Sequence, residues 1–157
     1  MNGTERIPQE DKCRENKISG VLEQAEIVAR RVLESVQAIA GTTACKGVQV
    51  SVLEKWAKAN NYWLDVVKLG TYEDRGSENE VYLSASGNIV YKLNDFRYSD
   101  DNLLPFFERI KAHNMYFPDC AYVLAGFSKN ANDAICAVLA QPYIISSRES
   151  CGRGNFK

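Results

Sequence analysis

Apolar side chains recur at Ile18, Val21, Leu22, Ala25, Val28, Val32, Val36 and Ile39, in steps of three and four, until Gly41-Thr42-Thr43 interrupts them. That period keeps one face of an α-helix dry, so it predicts an amphipathic helix over residues 18–40. The preceding residues 1–16 are polar and charged, with Asn2, Gly3, Pro8 and Asp11, and read as a fraying tail. A second helix is expected from Ser51, whose hydroxyl can cap free amides while Glu54 returns the bond, through Trp56 and Ala57 to Asn60-Asn61.

From Trp63 the period shortens to two. Strands are predicted at residues 69–72, 81–83 and 89–93, the last two joined by a tight Ser86-Gly87-Asn88 turn. Residues 102–113 then read as a helix with Leu103, Leu104, Phe107 and Ile110 inward and Pro105 in its first turn. Two further strands, 122–126 and 134–143, flank the polar turn 128–133. The order is three strands, a helix, then two strands.

Composition narrows the function without naming it. Nineteen basic residues face 20 acidic ones, for a net charge of −1, and no segment forms a basic stripe. Nucleic-acid binding through phosphate neutralisation therefore has nothing to rest on. No run of 18 apolar residues exists, and residues 1–10 are polar, so neither a spanning helix nor a signal peptide is expected; cytoplasmic location is the default. Cys13, Cys45, Cys120, Cys136 and Cys151 are widely spaced, without a C-x-x-C pair, and His113 is the one histidine. No metal site is expected from that set, and free thiols in a reducing compartment are the plain reading.

Residues 76–92 concentrate the chemistry. Gly76-Ser77-Glu78-Asn79-Glu80-Val81-Tyr82 is followed, after the turn, by Val90-Tyr91-Lys92-Leu93-Asn94. These segments resemble the kinase-like domain of polyvalent proteins carried by phages and plasmids. So do Glu108-Arg109 with His113-Asn114, Phe117-Pro118, Tyr122 to Phe127, and Gln141-Pro142-Tyr143. The likeness covers about residues 55–145. It implies an α+β fold: the small lobe of a protein kinase, a five-stranded antiparallel sheet with one crossing helix, here preceded by two helices. Residues 1–50 would form an extension, 51–145 the lobe, and 146–157 an unstructured tail.

The resemblance also implies roles. Gly76 and Ser77 would belong to a loop over nucleotide phosphates, where backbone amides approach oxygen atoms. Val81 would press on the adenine face, Lys92 would hold the α- and β-phosphates, and Glu108 would pair with Lys92. Gln141 to Tyr143 would form the hinge that binds the adenine edge. ATP with magnesium is the implied ligand. Two departures weigh against tight binding: Asp74, Gly76 and Asn79 stand at the three glycine positions of the phosphate loop, and Glu78 and Glu80 set acidic groups beside it. The residues leave a plainer alternative for each role: a turn glycine at Gly76, a solvated edge lysine at Lys92, a surface ion pair at Glu108.

Phosphoryl transfer needs a carboxylate to orient the hydroxyl, and an asparagine and an aspartate to hold magnesium. The tail after Ile145 supplies no aspartate, so no catalytic residue is assigned and a truncated, catalytically incomplete lobe is expected. Three functions stay open: a small lobe that binds ATP weakly or binds a protein partner, a phosphotransferase half-site completed by another chain, and an interaction domain without nucleotide. Self-association through exposed apolar surface is expected under each.

Overall fold

The computed structural model describes the backbone of residues 2–75 and 79–143, and the side chains of residues 20–73 and 80–143. Two helices lead, α1 (Asn2–Ala40) and α2 (Lys46–Ala59). Three strands follow, β1 (Thr71–Arg75), β2 (Asn79–Leu83) and β3 (Ile89–Asn94). Helix α3 (Leu104–Tyr116) then leads to β4 (Val123–Lys129) and β5 (Ile135–Pro142). The strands form one antiparallel sheet in the order β1-β2-β3-β5-β4. This is the α+β arrangement of a kinase-like small lobe.

Strand alternation gives the sheet two apolar faces. On one, Leu124, Phe127, Ala137 and Leu139 meet the helices, which contribute Val21, Leu22, Ala25 and Ala29 from α1, Leu53 and Ala57 from α2, and Phe106, Phe107 and Ile110 from α3. On the other, Leu93, Cys136 and Val138 pack under Leu69 and Leu64. The first helix is therefore part of the main core, seated by its middle turns, while Ile39 at its end is 88% exposed.

Helix α1 starts far ahead of the first apolar repeat at Ile18. The pattern signals only the turns that pack, and polar residues sustain a helix without leaving that signal. Helix α2 begins at Lys46, five residues before Ser51, so the expected capping box is not its start. The backbone carbonyl of Asp101 instead accepts from the amides of Cys45 and Lys46, at 2.7 and 2.9 Å. Glu54 is engaged by Lys58 one turn on. At the other end Asn61 takes a positive φ of 65°, which ends the helix.

Residues 62–64 run parallel to β4. Phe127 N–H donates to the Tyr62 carbonyl and Leu64 N–H to the Phe127 carbonyl, both at 2.8 Å. This approach requires Gly126, where an added Cβ would overlap the Tyr62 carbonyl oxygen and sit 3.0 Å from Leu64 Cγ. Gly126→Ala is expected to cost about 1–3 kcal/mol through overpacking, read as a lower urea midpoint with an unchanged slope.

Candidate functional site

The register assembles the central face of the site. Val81 lies opposite Lys92, and Lys92 opposite Leu139, which makes one row across β2, β3 and β5. Val90 and Gln141 form a second pair on the same face. Lys92 is not a solvated edge residue: β3 is interior to the sheet and the side chain is 3% exposed. Its Nζ donates to the Tyr122 hydroxyl at 3.0 Å and lies 5.1 Å from the centre of the Tyr122 ring.

Tyr122 is itself held on both sides of its peptide. The Asn114 carboxamide donates to the Tyr122 carbonyl at 2.9 Å and accepts from its N–H at 2.7 Å, as a neighbouring strand would. Asn114 therefore does not end α3 in a left-handed turn as its position suggests; the helix continues to Tyr116. His113 stacks on Tyr122 at 4.6 Å and bonds through Nε2 to the Cys120 carbonyl at 3.1 Å. A carbonyl only accepts, so Nε2 carries the proton.

A cavity of about 150 Å³ opens between β3, α3 and Tyr122. Lys92, Asn94, Arg109, His113 and Tyr122 give it polar walls, over a floor of Phe106, Ile110 and Leu139. Glu108 is not among these residues and its side chain is exposed. Helical spacing accounts for this. Phe106, Arg109, Ile110 and His113 fall at i, i+3, i+4 and i+7 on one face, whereas Glu108 is turned about 200° from Phe106.

Of the other expected site residues, Val81 is buried beside Lys92. Gln141 is 2% exposed and turns inward, where its Nε2 donates to the Cys120 carbonyl at 2.8 Å. Tyr143 is half-buried, and its N–H donates to the Asn88 carbonyl at 2.8 Å. Gly76 and Ser77 lie outside the described residues. The structure thus places Val81, Lys92 and Gln141 on one sheet face and leaves Glu108 off it. Sequence reasoning missed Tyr122, Asn94 and Arg109 as neighbours of Lys92; periodicity alone could have recovered Arg109.

Cys45 and Cys136 are free and buried. Burial, with help from Asp95 and Glu80, pushes the Cys136 thiol up to about 12, so it is a core residue rather than a nucleophile. Cys120 is in a disulfide, which corrects the expectation of free thiols throughout. Wide spacing in sequence carries no information on pairing, which depends on close approach in the fold. Among the described residues no group of three or more His, Cys, Asp or Glu side chains could hold a metal ion, and no helix is long and apolar enough to cross a membrane.

Residues 46–153 match the model of a family described as serine/threonine/tyrosine kinase found in polyvalent proteins. The chain belongs to this family. No curated protein and no solved structure matches it. For this polyvalent-protein kinase domain, the family match and the strand order agree on the small-lobe frame in which Lys92 sits on the third strand.

Burial lowers the Lys92 ammonium from its ordinary value of 10.5 to about 8. Below pH 8 the folded domain holds a desolvated charge that the unfolded chain keeps in water, at a cost on the order of 3 kcal/mol. Between about pH 8 and 10.5 the folded state sheds that proton first, so this residue's penalty fades as pH rises. Lys92→Met is therefore expected to raise stability at pH 7 by about 1–3 kcal/mol, with a smaller gain at pH 10. Paired urea melts at the two pH values check this; an equal gain at both would refute the buried charge.

Proposed function

We propose that this kinase-family domain binds the phosphates of ATP through Lys92, as the small-lobe half of a phosphotransfer site. The observation that carries the reading is the burial of Lys92 in the row Val81–Lys92–Leu139, at the wall of a polar cavity. A buried lysine destabilises the fold at neutral pH, and such a residue is retained where its charge meets a ligand. The cavity of about 150 Å³ accommodates a phosphate group but is smaller than the roughly 300 Å³ at which sites for drug-sized ligands begin.

The nucleoside would extend along the face that carries Val81, towards Gln141 and Tyr143. Magnesium would arrive with the nucleotide and neutralise charge on its phosphate oxygens. The chain's own contribution is a pre-placed ammonium, held by Tyr122, whose position Asn114 fixes. The groups that orient a substrate hydroxyl would come from outside the described residues. On this reading the domain binds nucleotide weakly by itself.

Calorimetric titration of ATP with magnesium should give heat with the native chain and a Kd at least about 10-fold weaker in Lys92→Met, the loss of one charge-assisted contact. Absence of heat at millimolar ATP would remove the nucleotide reading.

A second reading, self-association, draws on the outer surface of the first two helices. A groove of about 400 Å³ runs between α1 and α2, lined by Val28, Val32, Val36, Val48, Val52 and Trp56. Val48 is 51% exposed. Under this reading a second copy covers the groove, and Val48→Glu shifts the sedimenting species from dimer to monomer. A monomer at all concentrations in the native chain would end this reading.

A further inference from the structure

A chain of contacts joins Lys92 to α3 through a tyrosine. A lysine side chain is long and flexible, and it keeps one position only where a fixed acceptor holds its ammonium. The Tyr122 hydroxyl, 3.0 Å from Nζ, is such an acceptor. Tyrosine has two side-chain torsions, so fixing its peptide and its ring plane fixes the hydroxyl. Both are held from α3. Asn114 closes a two-bond ring with the Tyr122 peptide, at 2.7 and 2.9 Å, and His113 stacks on the phenol at 4.6 Å. Two residues before Tyr122, the Cys120 carbonyl bonds to His113 of α3 and accepts from Gln141 of β5, at 3.1 and 2.8 Å. Hydrogen bonds weaken steeply when displaced, so a shift of α3 either carries Tyr122 with it or breaks both Asn114 bonds.

Glu108, the helix residue expected to pair with Lys92, is exposed and does not line the cavity. We infer that Asn114 and Tyr122 are positioning residues that tie the Lys92 ammonium to α3, so that the placing of this helix sets the placing of the charge. The tie holds whatever else the ammonium touches. It deepens the reading of Lys92 as a phosphate-binding residue, and its use in binding rests on that reading, but it is measurable without nucleotide. Among the described residues the other charged or titratable groups around the cavity are Arg109 and His113, both on α3, while Val81 and Leu139 flank Lys92 on the neighbouring strands. An acceptor on an ammonium favours the protonated form, so loss of the Tyr122 hydroxyl makes Lys92 release its proton at lower pH.

NMR of isotope-labelled lysine side chains follows the Lys92 signal through its titration in the native chain, Tyr122→Phe, Asn114→Ala and Glu108→Gln, with Lys92→Met to assign it. ATP with magnesium is then titrated into each chain by calorimetry. Thermal melts verify folding, and Tyr122→Phe keeps both the ring and the Asn114 bonds. Lys92 is expected to titrate about one pH unit lower in Tyr122→Phe and part of that lower in Asn114→Ala, with Glu108→Gln like the native chain. ATP should bind about 10-fold more weakly in Tyr122→Phe. An unmoved Lys92 midpoint in Tyr122→Phe would overturn the tie, whatever the nucleotide does. So would a midpoint that Glu108→Gln lowers as far as Tyr122→Phe does. A midpoint lowered in Tyr122→Phe but not in folded Asn114→Ala would overturn the part given to α3. Lowered midpoints in a chain that gives no heat with ATP would sustain the tie and end the nucleotide reading, and ATP binding as tight in Tyr122→Phe as in the native chain would overturn the role of Tyr122 in binding.

Discussion

One carboxamide sets the three helices in register. Gln49 has no exposed surface; its Nε2 donates to the Ala29 carbonyl of α1 at 2.9 Å, and its Oε1 accepts from the Leu103 N–H, just ahead of α3, at 2.7 Å. A buried amide with an empty end costs on the order of 1–3 kcal/mol, so the arrangement is stable only when both helices stand where Gln49 can reach them. An apolar side chain of similar size could fill the same space without specifying that alignment. The start of α3 is fixed in this way, and with it every residue that α3 delivers: Phe107 to the core, Asn114 to the Tyr122 peptide, Arg109 to the Lys92 cavity.

The site is built against the interests of the core around it. The helix-facing side of the sheet is apolar at Leu124, Phe127, Ala137 and Leu139, yet the same face carries Lys92 with its charge almost shut off from water. Tyr122 softens this cost with a hydroxyl and a ring face, and Asn114 prevents Tyr122 from moving away. A ligand anion would relieve the remaining cost. On the proposed reading binding and stability would be coupled, since a partner that binds only the folded state stabilises it by mass action.

Much of the frame was legible in the sequence because its signals are local. The period-two runs and the Ser86-Gly87-Asn88 turn gave three of the strands, and Pro105 marked the first turn of α3. Lys92 could be singled out because its segment carries the family likeness. What escaped was set by distant partners. The start of α2 depends on the Asp101 carbonyl, Gln49 on Leu103, and Asn114 on a peptide eight residues ahead. A glutamine or asparagine within a helix reads as solvated until its partner is known. Glu108 and Arg109 are adjacent in sequence but separated by 100° of helical rotation, and a motif match does not measure rotation.

The short parallel pairing of residues 62–64 with β4 has a consequence for the whole sheet. It occupies hydrogen-bonding groups along one lateral margin, at Phe127, that would otherwise stand ready to template another chain. The opposite margin, β1, is paired only through β2 within the sheet, and its sequence there is Thr71-Tyr72-Glu73-Asp74-Arg75. A bulge between Tyr72 and Asp74 breaks its regularity, which hinders in-register pairing with another strand. The two margins are thus unlike, a covering segment at one and an irregular strand at the other, and neither offers a regular row of free backbone groups among the described residues.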